Sequence, residues 1–379
     1  MIRVALTFVS VYVFAALPVS ASDTWHTWEQ VRITDNPVHD ITPDTDGVHV
    51  SWTGYRYAGG YDIGLYDISS GAAQYISTTP FAYPITKVRG NYVAWGSDRG
   101  LELYRINTGT TSLLSSRPAF GGLVDIIGND VYYTAKVGTG YELFRYSELG
   151  STTTQLTTAH MPSYNICFRG TDLAHQSIYQ TVQGKMYYYN MLNNQEALLN
   201  NDDTNGYPAF AGNYLFWEHI DPRFGGTEIY YANLSTFATA KLADGSHPHV
   251  LNDVVYWSGS DGSGKEVFKY DPVTATLTQL TNSNFAGLSL TAGGGTVTWF
   301  DGVTSGGNDG TKYFYDGSTI ESLPHTFSGN TYGYYTVSDI GVVGETDIEV
   351  FLWRPTVVPE PATLALLAVG GLVALRRRR

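Results

Sequence analysis

Four side chains suited to ligand binding stand directly before a proline: Tyr83, Arg117, Tyr207 and His247. A residue before proline favours an extended backbone, so each of these side chains is expected to project from a fixed point of the chain. Tyrosine rings stack on ligands, and arginine makes charge-assisted hydrogen bonds, a combination that suits a sugar or a peptide. The alternative is that the four residues are ordinary turn positions in a solvated funnel.

Metal sites are weakly indicated. His247-Pro-His249 offers two imidazoles but no evident third ligand, so we expect no metal there. The Gly- and Asp-rich segments 260–264 and 301–310 do not follow the alternating acidic pattern of an EF-hand and match ordinary turn chemistry. We therefore expect no cofactor, with calcium at one of these loops as the alternative.

Enzyme signatures are missing from the sequence. It contains no GxSxG, HExxH or P-loop pattern. A glutamate recurs in similar strand-like contexts at Glu102, Glu142, Glu228 and Glu266, and this repetition favours a structural role. The single cysteine, Cys167, lies in an apolar run and is interpreted as a small buried residue, with a reactive thiol as the alternative. We assign no catalytic residue.

Composition favours a folded all-β chain. Of 379 residues, 43% are hydrophobic and 15% charged, and the 29 tyrosines favour strands over helices. The formal net charge of −13 repels phosphate backbones, which makes nucleic acid an unfavourable partner.

Both ends of the sequence have the character of targeting segments. Arg3 precedes an apolar run over 4–17, and Val19-Ser20-Ala21 forms a cleavage triplet, so residues 1–21 are predicted to be a secretory signal peptide. An uncleaved N-terminal anchor is the alternative.

At the other end, residues 362–375 are apolar or small and four arginines follow. A helix of this length spans roughly 21 Å, which is short against a hydrocarbon core of about 30 Å. The arginines favour the cytoplasmic side, so we expect transient membrane insertion with the body outside.

The C-terminal pattern resembles the PEP-CTERM sorting signal. Its parts are Pro359-Glu360-Pro361, the apolar segment and Arg376, Arg377, Arg378 and Arg379, within residues 357–379. The resemblance implies recognition by an exosortase, a membrane-embedded cysteine protease, and removal of the tail in a Gram-negative bacterium that makes exopolysaccharide. An unrelated tail anchor is the alternative. Removing both ends would leave 17 basic and 34 acidic residues.

The body, residues 28–355, consists of repeats of about 40 residues. Each has a Gly- or Asn-containing turn, an apolar strand with an anchor residue, a Gly-rich loop, a second strand and a "QLT"-like strand. The anchors recur every 38 to 45 residues, at Trp52, Trp95, Tyr133, His175, Trp217, Trp257, Trp299 and Gly344. Such a period predicts a β-propeller of four-stranded blades. Eight anchors predict eight blades, with seven as the alternative.

The last repeat lacks its fourth strand. Residues 28–34, "WEQVRIT", match that strand, so we expect the N-terminal strand to complete the last blade and remove the open edge of its sheet. The four pre-proline residues would then lie at the mouth of the central channel.

The repeats resemble those of the periplasmic propeller of the Tol system (TolB), as in "GSGKEVFKYDPVTATLTQLT", although "GN" or "ND" replaces the usual "SPDG" turn. These features predict an exported binding or scaffold protein of the cell surface or the extracellular polysaccharide matrix. Its expected partners are the secretion machinery and exosortase, then an exopolysaccharide or a surface protein. The alternatives are a polysaccharide-active enzyme, with one blade carrying inward acidic residues, and a protein-interaction module using Tyr55, Tyr57 and Phe224.

Overall fold

The structure is a computed structural model. It describes residues 26–36, 39–56, 59–79, 85–97, 99–116, 124–138, 140–158, 162–178, 184–193, 195–201, 205–221, 226–282, 288–293, 295–301, 310–327, 335–338, 341–346 and 349–357. The predicted signal peptide, Tyr83, Arg117 and the whole of Pro359–Arg379 lie outside these ranges. Within them, no helix is long and apolar enough to cross a membrane.

The protein is an all-β propeller of eight four-stranded antiparallel sheets, which confirms the prediction of eight blades rather than seven. Its strands follow one another along the chain, and each of the first seven sheets contains four consecutive strands. By packing, the chain divides into a unit of Trp28–Pro355 and a second unit that combines Met1–Thr27 with Thr356–Arg379.

The first four blades have regular strand order from the inside outward. Blade 1 contains β2 (His39–Thr45), β3 (His49–Tyr55), β4 (Tyr61–Asp67) and β5 (Ala72–Thr79). Blade 2 contains β6 (Thr86–Arg89), β7 (Tyr92–Ser97), β8 (Gly100–Arg105) and β9 (Thr110–Ser115). Blade 3 contains β10 (Val124–Ile127), β11 (Asp130–Val137), β12 (Gly140–Ser147) and β13 (Thr152–Gln155). Blade 4 contains β14 (Pro162–Arg169), β15 (Asp172–Ile178), β16 (Gly184–Asn190) and β17 (Gln195–Asn200).

The remaining blades follow the same plan until the last. Blade 5 contains β18 (Asn205–Ala211), β19 (Tyr214–Ile220), β20 (Thr227–Asn233) and β21 (Thr239–Asp244). Blade 6 contains β22 (Ser246–Leu251), β23 (Val254–Ser260), β24 (Lys265–Asp271) and β25 (Thr276–Gln279). Blade 7 contains β26 (Leu288–Gly293), β27 (Thr296–Asp301), β28 (Gly310–Tyr315) and β29 (Ile320–Phe327). Blade 8 contains β30 (Tyr335–Ser338), β31 (Gly341–Thr346), β32 (Glu349–Val357) and, as its outer strand, β1 (His26–Arg32).

The first strand of each blade lies at the centre of the ring. β2 contacts both β6 and β30, and β18 contacts both β14 and β22, so these inner strands surround a central channel. The apolar core is distributed among the blades: in the described residues it forms clusters that each join two neighbouring blades, including blade 8 with blade 1. Burial of these clusters therefore holds each blade to its neighbours around the ring.

The anchor residues occupy one structural position, the middle of the second strand. Trp257 stacks on Phe268 of the third strand with ring centroids 5.9 Å apart, and Trp299 stacks on Tyr313 at 6.1 Å. In blade 1 the residue opposite Trp52 is Gly64, where an added Cβ would lie 2.1 Å from the indole. The aromatic residues that recur in the sequence thus pack at the same level in their sheets.

The N-terminal strand closes the ring as predicted. The Ile33 amide donates to the Val350 carbonyl at 2.9 Å, the Thr34 hydroxyl donates to Glu349 at 2.6 Å, and the Val350 amide donates to the Thr34 hydroxyl oxygen at 2.9 Å. The Arg32 guanidinium also donates to Glu349 at 2.7 Å. The closure therefore rests on specific polar contacts as well as on strand pairing.

The same arrangement recurs inside continuous blades. In blade 3 the Thr157 hydroxyl donates to Glu142 at 2.6 Å and accepts the Leu143 amide at 2.9 Å. In blade 6 the Thr281 hydroxyl donates to Glu266 at 2.5 Å and accepts the next amide, that of Val267, at 2.8 Å. Two of the four recurrent glutamates thus tie the third strand to the fourth, which gives them a structural role.

The other two recurrent glutamates have different partners. Glu228 binds Lys241 of the outer strand at 2.6 Å, and Glu102 binds Arg99 at 2.8 Å. Both are local contacts within their own blade, so these side chains too act in blade structure.

Candidate functional site

Two of the four pre-proline side chains, Tyr207 and His247, lie together on the inner strands of blades 5 and 6. Their ring centroids are 4.1 Å apart with an interplanar angle of 46°. The His247 amide donates to the Glu218 carboxylate at 2.8 Å, and His247 Nδ1 lies 3.4 Å from the same carboxylate. Tyr207 remains 42% exposed, so the pair presents an aromatic surface to solvent.

The backbone at this pair differs from the prediction of extended pre-proline residues. Tyr207 and His247 have φ values of +50° and +54°, in the left-handed region. Each lies within a register shift of its inner strand, between Gly206 and Ala209 or between Ser246 and His249. Such a shift accommodates additional residues in one strand, and a positive φ is one way to bend the backbone around them. The local preference set by proline is overridden by the requirement to keep the sheet paired.

Thr42, before Pro43 on the inner strand of blade 1, repeats this geometry with a φ of +51° and a register shift between Ile41 and Asp44. The bulge therefore recurs on the inner strands. Among the described bulges of this kind, those of blades 5 and 6 carry an aromatic ring before the proline, and that of blade 1 carries a threonine.

A cavity of about 430 Å³ opens beside the aromatic pair in the channel wall. It is bordered by the inner strands of blades 4, 5 and 6 and reaches Ala292 in blade 7. Its apolar lining comes mainly from aromatic, aliphatic and proline side chains: Ile166, Phe168, Pro208, Ala209, Phe210, Pro248 and Val250. The polar side chains that line it are those of Tyr207, His249, Cys167, Arg169 and Asp253. A concave, mostly apolar site with a few polar groups is the usual form of a small-molecule pocket.

Two of the ionisable groups that line the cavity, His249 and Cys167, are held neutral. Burial, with a smaller contribution from the nearby His247, lowers the pKa of His249 to about 4. Burial raises the pKa of the Cys167 thiol to about 11. At neutral pH a neutral imidazole and a protonated thiol therefore line the cavity, which agrees with Cys167 as an unreactive side chain.

Two charged residues, Arg169 and Asp253, also line the cavity. Arg169 forms an ion pair with Asp172 at 2.6 Å, and its guanidinium carbon lies 4.8 Å from the centroid of the Phe210 ring. Asp253 accepts a hydrogen bond from the Gly212 amide at 2.7 Å. Both charged side chains already have partners, so the cavity can accept a ligand that is itself mostly uncharged.

The inner strands of blades 1 to 3 carry a different surface. Asp44 accepts hydrogen bonds from Lys87 at 3.1 Å, from the Val88 amide at 2.9 Å and from Arg89 at 2.6 Å. Asp125 follows in blade 3, and burial raises its pKa despite the nearby Lys87 and Arg89. This network did not emerge from the sequence because its members lie about 40 residues apart and meet only in the ring.

Asp40 is a buried carboxyl where blade 1 meets the closing segment. It is fully buried, the Asn36 side-chain amide donates to it at 2.7 Å, and burial raises its pKa to about 6. The equivalent position in blade 5, three residues before the bulge proline, is Asn205, whose side-chain oxygen accepts the Trp217 indole N–H at 2.9 Å. In blade 5 a neutral amide side chain thus occupies the position that a carboxyl group occupies in blade 1.

The other candidate sites are less developed. In the described residues no group of three or more His, Cys, Asp or Glu side chains is placed to hold a metal ion. Asp261 accepts from the Ser263 amide and hydroxyl, at 2.8 and 2.5 Å, so segment 260–264 forms a side-chain-stabilised turn. Residues 302–309 of the second Gly- and Asp-rich segment lie outside the described ranges, as do Tyr57 and Phe224, whereas Tyr55 is 37% exposed.

Blade 4 also departs from the repeat, because His175 replaces the anchor aromatic. It is fully buried, stacks on Tyr187 with centroids 5.2 Å apart, and places Nε2 3.1 Å from Glu196 of the outer strand. The acidic partner lies on the outer side of the blade, away from the inner strand, so this departure does not supply the inward acidic site expected for an enzyme.

Known proteins resemble this chain in two respects, the C-terminal motif and the fold of the body. Residues 357–379 match the PEP-CTERM protein-sorting motif, so the chain carries this motif at its C-terminus, and the motif implies export and exosortase-mediated sorting to the surface. No curated protein matches the chain.

Solved structures similar to the body are propellers of TolB and peptidase type. A puromycin-hydrolysing peptidase from Mycobacterium tuberculosis matches with a TM-score of 0.52 and 14% identity, over 76% of this chain and 53% of that one. This chain thus spans about half the length of that peptidase. TolB from Agrobacterium tumefaciens matches with a TM-score of 0.42 and 11% identity, over 78% and 98%. An oligogalacturonate lyase from Vibrio parahaemolyticus matches with 0.49 and 10%, over 90% and 99%. At these identities the likeness concerns the fold alone.

Proposed function

We propose that this protein is an exported propeller that acts, after exosortase processing, as a binding or scaffold protein of the cell surface or the extracellular polysaccharide matrix. Its ligand occupies the channel cavity and stacks on the Tyr207–His247 pair at the cavity's edge. The observation that carries the binding role is the cavity itself, with its apolar wall and its neutral imidazole.

The chemistry of the cavity favours a neutral, partly apolar group such as the end of a short oligosaccharide. The exposed ring of Tyr207 offers a face for the C–H surface of a sugar, and Tyr207 and His249 can donate and accept hydrogen bonds to hydroxyls. A carboxylate or phosphate in the cavity would lose its hydration without gaining an unpaired cation, because the guanidinium of Arg169 is already paired with Asp172.

The ring architecture suits a scaffold. The N-terminal strand completes the last blade, so the ring has no unpaired sheet edge at the junction of its two ends, and the aromatic anchors give most blades the same internal packing. A rigid ring of this kind can hold a ligand site in a fixed geometry while other surfaces contact the matrix.

Sorting is tested by the intact mass of the protein recovered outside its native host cell, compared with a strain that lacks the exosortase. We expect a mass ending near Pro359 only when the protease is present. A mass that includes the four terminal arginines in both strains would contradict processing.

Ligand binding is tested on the purified protein with an array of neutral and acidic oligosaccharides, followed by calorimetry of the best ligand. Tyr207→Ala and His249→Ala should each weaken binding roughly 10-fold or more, since each removes a buried contact to the ligand worth about 1–2 kcal/mol. Tyr55→Ala is the matched control, because Tyr55 is similarly exposed, at 37%, but lies in blade 1. Equal affinity of the wild type and both channel variants would contradict the proposed site.

A further inference from the structure

The two ends of the body leave the propeller side by side. Ile33 pairs with Val350, and the Arg354 guanidinium binds Glu29 at 2.7 Å, so β1 and β32 run antiparallel in a single register. Continued to the strand ends, this register sets His26 opposite Val357. The start of β1 and the end of β32 therefore lie at the same end of the last blade.

That end belongs to one face of the ring. Because the strands of each blade alternate in direction, the turns between first and second strands and between third and fourth strands lie on one face, here named the turn face. β32 is a third strand and therefore ends at the turn face, and β1 is a fourth strand and begins there.

The linkers beyond these strand ends are short. Four residues separate Val357 from the apolar segment that begins at Ala362, and five extended steps of about 3.5 Å reach only ~17 Å. Four residues also separate the predicted cleavage site after Ala21 from His26. A linker of this length limits how far the end of β32 can lie from a bilayer into which the C-terminal segment is inserted.

The far half of the turn face carries exposed apolar side chains. The turns between third and fourth strands in blades 3, 4, 5 and 6 present Leu149, Leu192, Phe237 and Val273, and three of these are at least 80% exposed. The same turns in blades 1, 2 and 7 present Ser69, Asn107 and Ser318. These four tips lie on the side of the face opposite the point where the chain leaves blade 8. On the near side, the turn between the first and second strands of blade 1 presents Val48, which is 53% exposed.

We propose that the turn face rests on the lipid bilayer in the precursor, with these four apolar tips in the headgroup region while the C-terminal segment is inserted. Insertion of these four side chains into the membrane interface would remove their exposed apolar area from water. A linker on one side and apolar tips on the other would hold the ring flat. This inference depends on the membrane-inserted precursor of the proposed function.

The test uses the full-length chain in vesicles of zwitterionic phosphatidylcholine, with an environment-sensitive dye on one cysteine and nitroxide quenchers on the lipid. Cys167→Ala supplies the background, since Cys167 is the only cysteine. The dye is placed through Leu192→Cys on a tip, and through Leu367→Cys in the C-terminal segment as the insertion control. Ile220→Cys, which is 41% exposed at the opposite face, is the matched surface control.

We expect strong quenching at positions 192 and 367, with quenching at 192 roughly threefold or more above that at 220. Quenching at 367 with equal, weak quenching at 192 and 220 would overturn the docked face and leave the inserted precursor intact. No quenching at 367 would overturn the inserted precursor and the inference with it. A blue-shifted dye at 192 without lipid quenching would show contact with a second copy, which also overturns the proposal.

Discussion

Thr34→Val is the sharpest test of how the ring is held closed. The substitution keeps the side-chain shape but removes a hydroxyl that donates to Glu349 at 2.6 Å and accepts the Val350 amide at 2.9 Å. Glu349 is buried, so the carboxylate loses a donor that water cannot readily replace, and it retains the Arg32 guanidinium at 2.7 Å. The Val350 amide loses its acceptor as well.

The expected cost follows from these two losses. A hydrogen bond to a charged group contributes about 1.5–3 kcal/mol, and an unpaired buried amide costs about 1–3 kcal/mol, so with Arg32 retained we expect a total near 3 kcal/mol. Roughly 330 residues unfolding with about 2.1 cal/mol/K each give an entropy of ~0.7 kcal/mol/K, so the Tm should fall by about 4 °C.

Scanning calorimetry of the purified protein at neutral pH measures this shift. Thr34→Ser, which retains the hydroxyl, should stay within about 1 kcal/mol of the wild type because only a methyl group is lost. Thr157→Val removes the same contacts inside a continuous blade and should cost a similar amount. Hydrogen exchange at the amides of Ile33 and Val350 should accelerate in Thr34→Val. An unchanged Tm for Thr34→Val, or equal losses for the valine and serine variants, would refute the reasoning.

Three further outcomes are expected. Burial raises the pKa of Asp40 from 3.8 to about 6, so the folded protein binds this proton more tightly than the unfolded chain, and the free energy of unfolding falls as pH rises from about 4 to 6. Asp40→Asn should remove that loss and raise the Tm at pH 7 but not at pH 4. A variant no more stable than the wild type at pH 7 would contradict this. Gly64→Ala should lower the free energy of unfolding, measured with denaturant, by about 1–3 kcal/mol because the added Cβ would overlap Trp52. Gly226→Ala, which has open space around it, is the control and should change it by no more than ~0.5 kcal/mol. Equal effects of the two substitutions would count against the packing argument. Burial raises the pKa of the Cys167 thiol to about 11, so iodoacetamide at pH 8 should label the native protein far more slowly than the protein unfolded in guanidinium. Mass spectrometry follows the labelling. Equal rates would mean that the native protein has an accessible thiolate.

The sequence contains nearly all the information that defines the architecture. A propeller blade is a local unit whose strands are joined by short turns, so each repeat displays its own strand pattern and anchor residue. The number of anchors therefore equals the number of blades, and the strand missing from the last repeat identifies residues 28–34 as its closing partner. The sorting motif at 357–379 was equally visible, because it is a linear signal that is recognised in sequence order.

The candidate site was only partly visible. Tyr207 and His247 were identified from their position before proline, but their left-handed backbone was not, because the bulge depends on pairing with the second strand. The cavity beside them was not foreseen either. Its walls come from four blades, so its shape is set by how the ring positions whole sheets against one another.

The sequence by itself thus determined the repeat, the closing strand and the sorting motif of this protein. The tertiary structure alone decided which side chains meet across the channel, which carboxyls are buried, and where the two ends of the body leave the ring. The physical reason is range: strand periodicity and turns are set by neighbouring residues, whereas Asp44 with Arg89 or Thr34 with Glu349 come together only when the ring closes.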